Sequence, residues 1–340
     1  MAQPRETPRP ARIGPVTPGL SLCTAAAIAC YAASSLLGGL SPLILAIVLG
    51  IAMANTLGVP PAAGPGIEFS AKKLLRAGIV LLGLRLVLTD IAALGAPMLL
   101  VIVGIVTGGI LGTVALGRLL RVPTHLSLLV ACGFSICGAA AVAGAAGVMD
   151  PDDERESDTV TAVALVVILG SLMIPLVPLA AGLLGLDQIT AGLWAGGSIH
   201  EIAQVVAVGS ILGGGALTAA VVVKLARVLL LAPVVAALSL RQRSLDGASP
   251  GSGCRPPIVP AFILGFMAVV LVRTFVPLPE MVLQIGSAAQ TLLLAAAMFA
   301  LGCGVKVRQL MRVGLRPFLL AGVSTLLVSG IAYLGVALAR

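Results

Sequence analysis

The stretch "GGSIHEIAQVV" (196–206) places a histidine, a glutamate and a glutamine in a run that is otherwise small and apolar. His200, Glu201 and Gln204 fall within five positions of one another. Polar and ionisable groups are costly in an apolar interior unless they are hydrogen-bonded or face water. The fold therefore has to give these three side chains partners or a cavity.

The composition is typical of a membrane protein. The 340 residues are 59% hydrophobic and 10% charged, against roughly 25% charged residues in a soluble domain. Apolar runs long enough to cross a hydrocarbon core of about 30 Å as helices recur from residue 20 to the end. We predict an all-α polytopic protein with one integral domain, residues 20–340, behind a disordered cytoplasmic tail, residues 1–19. The eleven predicted transmembrane helices are 20–38, 42–58, 72–89, 97–117, 125–148, 159–184, 192–211, 215–240, 257–276, 281–304 and 316–338.

The basic residues indicate an orientation. With the N-terminus in the cytoplasm, the inner segments hold fifteen lysines and arginines, and the outer segments hold two, Arg155 and Arg340. This charge bias favours an N-terminus inside and a C-terminus outside. A re-entrant hairpin in place of the seventh span would move Arg241, Arg243 and the basic cluster at 306–316 outside, so we predict a span there. The acidic run 149–158 falls outside in this topology.

Internal repetition is typical of transporters. "PLILAIVLGIAM" (42–53) resembles "PIVPAFILGFMA" (257–268), and "LGLRLVLTDIAALG" (82–95) resembles "LGCGVKVRQLMRVG" (301–314). These blocks begin at spans two and nine and so face opposite ways, which indicates an inverted repeat. A weaker echo joins "GFSICGAAAV" (133–142) to "GGSIHEIAQV" (196–205). Because spans five and seven run parallel in this topology, either the repeat is permuted or the echo is coincidence.

The polar residues of the seventh span lie near the predicted bilayer midplane. Glu201 is roughly 13 Å from the inner end of that span at about 1.5 Å per residue. On a helix, His200 and Gln204 share one face, and Glu201 is rotated by about 100°. Their functional interpretation is a proton-coupling or ion-binding group. The alternative is a polar clamp that holds helices together.

The eighth span carries Lys224 and Arg227, three positions apart on roughly one face. Lys224 is placed at the same depth as Glu201 on the next, antiparallel helix, so a buried structural ion pair is one interpretation. Two cations face one carboxylate, however, and the surplus positive charge favours a site for an anion. Inward snorkelling of Arg227 is the alternative.

The fifth span contains small residues and the hydroxyl of Ser135. It fits either a discontinuous helix whose backbone N–H groups receive an anion or a small-residue packing face. Arg85 and Arg273 lie near the outer ends of their spans, and we expect both to snorkel outward.

Several classes of function are excluded by what the chain lacks. "HEIAQ" has Gln204 where a zinc protease motif requires its second histidine, and the chain holds two histidines in all. The aspartates lie in loops, there is no phosphate-binding glycine loop, and the basic residues serve topology rather than nucleic acid. The six cysteines show neither CxxC spacing nor histidine partners. We predict no enzyme activity, no metal and no cofactor apart from a coupling ion, H⁺ or Na⁺.

Five stretches carry a family resemblance: "GIVLLGLRLVLTDI" (78–91), "CGFSICGAAAVAG" (132–144), "GGSIHEIAQVVAVG" (196–209), "VKLARVLLLAP" (223–233) and "ALGCGVKV" (300–307). Together they resemble the YeiH-type sulfate exporter family of bacterial inner membranes. The resemblance implies a multi-spanning carrier, distantly similar to the bile-acid symporter and sodium/proton antiporter folds. One departure is Phe134, where we expect a small residue beside the serine. The functional residues that it implies are Ser135, Cys137, Gln204, Lys224 and Arg227 toward substrate, and His200 and Glu201 toward the proton.

The expected function is secondary transport. The chain would export a small oxyanion (sulfate, sulfite or a sulfonate) across the inner membrane by alternating access, with Glu201 carrying the coupling proton and His200 orienting it. A sodium-coupled importer of an organic anion, a channel and a non-transporting scaffold are the alternatives. The expected partners are a small anion and the lipid bilayer, with a homodimer left open.

Overall fold

The computed structural model describes residues 15–37, 41–150, 154–245, 261–305, 308 and 314–340. Most of the predicted tail and the junction at 246–260 lie outside this range, as do most residues of the basic cluster at 306–313. The helices are α1 (Thr17–Leu37), α2 (Pro42–Thr56), α3 (Gly64–Phe69), α4 (Leu75–Leu82), α5 (Leu88–Ala92), α6 (Gly95–Leu119), α7 (Thr124–Ser135), α8 (Ala139–Met149), α9 (Glu156–Leu183), α10 (Gln188–Ser198), α11 (Ile202–Leu212), α12 (Ala216–Leu229), α13 (Leu231–Leu245), α14 (Ala261–Phe275), α15 (Glu280–Gly304) and α16 (Leu315–Ala339).

The all-helical prediction is confirmed for the described residues. In that part of the chain, six helical segments are long and apolar enough to cross a membrane, namely α1, α6, α9, α12 with α13, α15 and α16. Five shorter apolar helices of 10–17 residues lie among them. A bilayer core of about 30 Å needs about 20 helical residues. The protein is therefore a multi-pass membrane protein, and its shorter helices need a separate explanation.

The helices α10 and α11 form a hairpin rather than one span. A Cβ atom built on Gly192 would lie 2.5 Å from the carbonyl oxygen of Ala216, and one on Gly196 would lie 2.3 Å from that of Ala220. These two contacts advance together along both chains, so α10 and α12 run parallel. The helix between them, α11, must run back, and Gln188 at the start of α10 accordingly touches Gly214 just after α11. The chain turns at residues 199–201.

The helices α7 and α8 form a second hairpin. A Cβ atom on Gly133 would lie 2.7 Å from Cγ2 of Val142, nine positions later, whereas a continuous helix would separate these residues by about 13 Å along its axis. The Nδ1 atom of His125 lies 2.9 Å from Oδ2 of Asp158 and so joins the start of α7 to the start of α9. The chain turns at residues 136–138 and returns to the side from which it entered.

These hairpins correct the predicted topology. The segments predicted as spans five and seven each fold back on themselves, so the continuous helix predicted at 192–211 is not formed. The argument against a hairpin there assumed that only one segment changes. Replacing a crossing helix by a hairpin reverses the direction of all later segments, and a second replacement reverses it again. Arg241 and Arg243 therefore stay on the side of Arg118. The described residues of the acidic run, Asp150 and 154–158, move to that side as well.

The start of α10 and the end of α16 are also held together, on the side opposite to the starts of α7 and α9. Asp187 accepts hydrogen bonds from the backbone N–H groups of Ile189 and Thr190 at 3.0 and 3.1 Å and so caps α10. The hydroxyl and backbone N–H of Thr190 hold the pKa of this exposed carboxyl below its usual range. Arg340, after the end of α16, lies 3.1 Å from Asp187. The entry of the second hairpin and the C-terminus therefore share one side.

The packing follows a permuted inverted repeat. In this repeat α2 corresponds to α14, α4 to α15, α6 to α16, the first hairpin to the second, and α9 to α12 with α13. Contacts come in matching pairs: α2 packs on α15 and α14 on α4, α6 on α7 and α16 on α10, and α13 on α8 and α9 on α11. The echo between 133–142 and 196–205 joins the two hairpin turns, which enter from opposite sides. It therefore fits an inversion once these segments are hairpins.

The helices divide into two groups. We call α1 to α4, α14 and α15 the panel, and α6 to α13 with α16 the hairpin bundle; α5 contacts both. The panel is closed by a close crossing of α2 and α15, where a Cβ atom on Gly50 would lie 2.3 Å from the carbonyl oxygen of Phe299. Only a glycine permits this approach. The boundary between the groups is where a cavity can form.

The hairpin topology can be tested by side-specific labelling. Arg118, Ser157 and Leu184 are exposed. Arg118→Cys and Ser157→Cys should react with a membrane-impermeant maleimide from the same side, and Leu184→Cys from the other side, because α7 and α8 return to their starting side. The unmodified chain, whose five described cysteines are buried, sets the background. Labelling of Arg118→Cys and Ser157→Cys from opposite sides would restore a single crossing for residues 124–149.

Candidate functional site

The turns of the two hairpins meet inside the hairpin bundle. We call residues 136–138 tip 1 and residues 199–201 tip 2. The Nζ atom of Lys224 on α12 donates to the carbonyl oxygen of Ile136 at 2.9 Å and to that of Ile199 at 2.7 Å. Ile136 and Ile199 occupy matching positions in the two echoing sequences. One ammonium group therefore bridges the tips at symmetry-related points.

Arg227 fastens the same two turns. Its guanidinium donates to the last carbonyls of α7, those of Phe134 at 2.9 Å and Ser135 at 3.0 Å. It also donates to the carbonyls of Gly196 (3.1 Å), Gly197 (2.7 Å) and Ile199 (3.1 Å) at the end of α10. The last carbonyls of a helix have no partner inside that helix and carry the negative end of its dipole. Arg227 satisfies two such ends at once.

Both cations are fully buried and use backbone carbonyls in place of a carboxylate. Lys224 and Arg227 are each 0% exposed. Among the described residues no salt bridge joins either to an acid, so the ion pair of Lys224 with Glu201 is not formed. The surplus positive charge that favoured an anion site is matched by the two helix ends. Their direct contact with substrate stays a prediction.

Glu201 lies at the N-terminus of a helix, whereas Lys224 and Arg227 bond to helix C-termini. Its Oε1 atom accepts a hydrogen bond of 3.1 Å from the backbone N–H of Ala139, the first residue of α8. Gly138, just before α8, has φ of +79°, and a Cβ atom there would lie 2.3 Å from Cγ of Glu201. A helix N-terminus stabilises a negative charge. The N-terminus of α8 therefore offsets part of the cost of burying this carboxylate.

Two further predicted site residues are His200 of tip 2 and Gln204 of α11. His200 is fully buried, with Nε2 3.1 Å from the hydroxyl of Thr325 and its ring 4.3 Å from that of Phe134. No hydrogen bond among the described residues joins the side chains of His200 and Glu201, so the predicted orienting role has no direct contact to support it. Gln204 accepts from the backbone N–H of Glu201 at 3.2 Å. Because 199–201 is not helical, the predicted common face of His200 and Gln204 does not exist.

Ser135 is another residue predicted to contact substrate. It is fully buried, and its hydroxyl has no hydrogen-bond partner. A Cβ atom on Gly109 of α6 would lie 2.5 Å from that hydroxyl oxygen. Its backbone carbonyl helps to hold the turn, since it accepts a hydrogen bond from Arg227. The side chain packs against α6, and its contact with substrate stays a prediction.

A cavity of about 730 Å³ lies between the panel and the hairpin bundle. It follows α11 from Glu201 at tip 2 to Ile211 near the far end of that helix. The polar side chains that line it are Ser34, Ser41, Arg85, Glu201, Ser210, Gln290 and Thr291, together with the thiol of Cys137. The other lining residues are apolar. This cavity is large enough to hold a small molecule.

The cavity divides the predicted residues. Cys137 and Glu201 line it, whereas Ser135, His200, Gln204, Lys224 and Arg227 do not. It also includes two residues that the sequence analysis missed. Arg85, expected to snorkel, is exposed and donates to the hydroxyls of Ser287 at 2.7 Å and Thr291 at 3.3 Å. Arg85 could have been found from its charge inside an apolar run. Gln290 is a single amide inside another apolar run, which is a weak signal.

Comparison with known proteins identifies the family. Residues 18–321 match the model of the family described as Conserved hypothetical protein 698. The chain belongs to this family. The resemblance to the YeiH type is thereby confirmed. A UPF0324 membrane protein of Corynebacterium glutamicum is 58% identical over 94% of this chain and 91% of its own length. Another, from Agrobacterium fabrum, is 33% identical over 94% and 92%, and one from Bacteroides thetaiotaomicron is 36% identical over 83% and 84%. No solved structure matches.

The role of Arg227 can be separated from a role in ligand binding. Arg227→Gln should lower the free energy of unfolding by about 3–5 kcal/mol, because it strips buried carbonyls of a charged partner. Arg227→Lys should rescue little, since an ammonium cannot span both helix ends. Size-exclusion chromatography after heating to a series of temperatures measures the loss of stability in each variant. A folded Arg227→Gln chain with unchanged melting but impaired anion binding would point to a direct ligand instead.

Gly138 provides a second test of the tip geometry. Gly138→Ala should be destabilising by about 1–3 kcal/mol, because it combines an unfavourable φ with a clash against Glu201. Gly104→Ala is the matched control, since nothing lies within 4 Å of a Cβ atom there and alanine favours the helix by up to about 1 kcal/mol. Comparing the melting temperatures of the two variants separates the effect at tip 1 from the general effect of replacing a glycine by alanine. Equal melting temperatures would contradict the assigned contact of Gly138 with Glu201.

Proposed function

We propose that this protein is a secondary transporter that moves a small anion across the bacterial inner membrane by alternating access. The observation that carries the proposal is a cavity that ends at two opposed hairpin tips, with a buried carboxylate at its base. Broken or re-entrant helices at membrane depth are tolerated where they line a cavity or are buried in protein. Inverted repeats with a central site are typical of secondary transporters.

The proposed membrane topology has nine crossing segments and two hairpins. The crossing segments are α1, α2, α3 with α4, α6, α9, α12 with α13, α14, α15 and α16. With the N-terminus in the cytoplasm, the first hairpin enters from the inside and the second from the outside, and the C-terminus lies outside. The basic loops then stay inside, as the charge bias favours. This topology replaces the eleven crossing helices expected at first.

Alternating access follows from the repeat. The cavity runs along α11 of the second hairpin, which in this topology is the outer side. Exchange of the two repeat conformations would open the equivalent path along α8 of the first hairpin, on the inner side. Lys224 and Arg227 hold the two tips together, so we expect the hairpin bundle to move as a unit against the panel.

Glu201 is the proposed coupling group. It faces the cavity and is bonded to the N-terminus of α8. An ionised carboxylate at the base of the cavity repels an anion, whereas a protonated one does not. Bound anion and bound proton therefore stabilise each other, and this coupling is reciprocal. The carrier would take one proton with each anion, and export would occur when the cytoplasmic anion is in excess.

The substrate class within this proposal is a small oxyanion: sulfate, sulfite or a sulfonate. Arg85 supplies a positive charge beside the cavity, and the amide of Gln290 and the hydroxyl of Thr291 supply hydrogen bonds. A sodium-coupled importer of an organic anion is the second candidate, favoured by the apolar walls. A non-transporting scaffold would leave the cavity without a role.

Flux measurements on Glu201→Gln test the coupling. In proteoliposomes, efflux of labelled sulfate or methanesulfonate should respond to an imposed pH gradient, and Glu201→Gln should lose that response because its amide cannot take a proton at this site. Glu280→Gln, at the exposed start of α15, is the matched control and should keep it.

Three other outcomes would contradict this account. Flux that requires sodium and ignores the pH gradient would favour the sodium-coupled importer. A Glu201→Gln chain that keeps the full pH response would remove Glu201 from the coupling. No flux of either anion, with folded protein in the vesicles, would favour the scaffold.

A further inference from the structure

Arg85 is an exposed cation at the edge of the cavity, and none of the described residues is its acidic partner. It follows the end of α4 and bonds two hydroxyls of α15, those of Ser287 and Thr291. The salt bridges in the described part of the chain join Lys72 to Glu68, His125 to Asp158 and Arg340 to Asp187, and none includes Arg85. Neutral hydroxyls leave the charge of a guanidinium uncompensated. A negative group on a ligand would compensate it.

Gln290 is the second observation that points to a ligand. It lies next to Thr291 on α15, lines the cavity and is 4% exposed. Its Oε1 atom has no hydrogen-bond partner. A buried polar atom without a partner is destabilising. An amide can present either its oxygen or its nitrogen at that position, so it can bond an acid group whether that group is ionised or protonated.

The rest of the cavity is apolar. Its walls include Leu43 and Ile44 of α2, Ile202 and Val206 of α11, and Leu294 and Met298 of α15. Its volume of about 730 Å³ falls within the roughly 300–1,000 Å³ of sites for organic ligands. A sulfate dianion would fill a small part of this space, with one guanidinium and a carboxylate as its charged neighbours. Charge buried without full compensation is strongly disfavoured.

We propose that the cavity binds an amphipathic organic monoanion, an alkylsulfonate or a carboxylate of similar length. Its acid group lies at the subsite formed by Arg85, Gln290 and Thr291, and its apolar body lies along α11 and α2. The inference rests on the proposed transport function for its biological meaning, but the binding itself does not depend on transport. It narrows the substrate from oxyanions in general to those that carry an apolar group.

A chain-length series tests the inference. Binding of methane-, butane- and hexanesulfonate and of sulfate is measured by calorimetry on the full chain in lipid nanodiscs. Affinity should rise about threefold to fourfold for each added methylene that is buried, and sulfate should bind more weakly than hexanesulfonate. Affinity that is independent of chain length, or sulfate binding more tightly than hexanesulfonate, would overturn the proposal. So would failure of every probe to bind to folded protein.

Substitutions locate the acid group. Arg85→Gln should weaken hexanesulfonate binding by about tenfold to a hundredfold, and Gln290→Leu should weaken it by a smaller factor. Arg273→Gln, near the end of α14 and away from the cavity lining, should bind as the unmodified chain does. These variants in identical nanodiscs also correct for partitioning of the probes into lipid. Equal affinity of Arg85→Gln and Arg273→Gln would overturn the assigned subsite.

The two proposals fail in different ways. Proton-coupled flux of sulfate in vesicles without chain-length dependence of binding would keep the carrier and remove the amphipathic substrate. Binding that depends on chain length and on Arg85, with no flux of any sulfonate, would keep the subsite and remove transport.

Discussion

The structure depends on the bonding of Lys224 and Arg227 to the turns of two hairpins. Four helices end or begin near the centre of the bundle, where water is excluded and unpaired backbone groups are strongly disfavoured. The cations of α12 take the carbonyl ends of α7 and α10, and the carboxylate of Glu201 takes the amide end of α8. Each charge thus faces the helix end of opposite sign. Without these contacts the hairpins would have no stable turn inside a bilayer.

The sequence identified most of these residues but not what they bind. Counting ionisable groups inside apolar runs singled out His200, Glu201, Lys224 and Arg227. The first two belong to tip 2, and the two cations of α12 bond to the turns of both hairpins. The count considered side-chain charges alone, so the two cations seemed to exceed the one carboxylate. The missing partners are backbone carbonyl oxygens, which carry partial negative charge at a helix C-terminus. A sequence reveals them only where the end of a helix can be predicted. Arg85 was missed for a related reason: a charge near the end of a span fits snorkelling equally well.

The topology was mispredicted because the positive-inside rule depends on parity. Two hairpins reverse direction twice, so every basic loop after the second one lies where eleven crossings would put it. The described connections between the two hairpins change side, namely Asp150 with 154–158 and the loop at 184–187. Arg155 is their one basic residue and the other charged residues there are acidic, so they carry little weight. The informative signal was the echo between 133–142 and 196–205, which conflicted with the predicted directions. Once both segments are hairpins, the conflict disappears and the repeat becomes a permuted inversion.

The position of Glu201 gives the two repeats unequal chemistry. In the echo, Glu201 of tip 2 corresponds to Gly138 of tip 1, so one acid serves both hairpins. It stands on the second hairpin, borders the cavity along α11 and is bonded to the first residue of α8 on the first hairpin. A path along α8 in the other conformation would therefore begin at the same carboxylate. A single group reachable from both paths is what coupling requires, because the proton and the anion must meet it in each conformation.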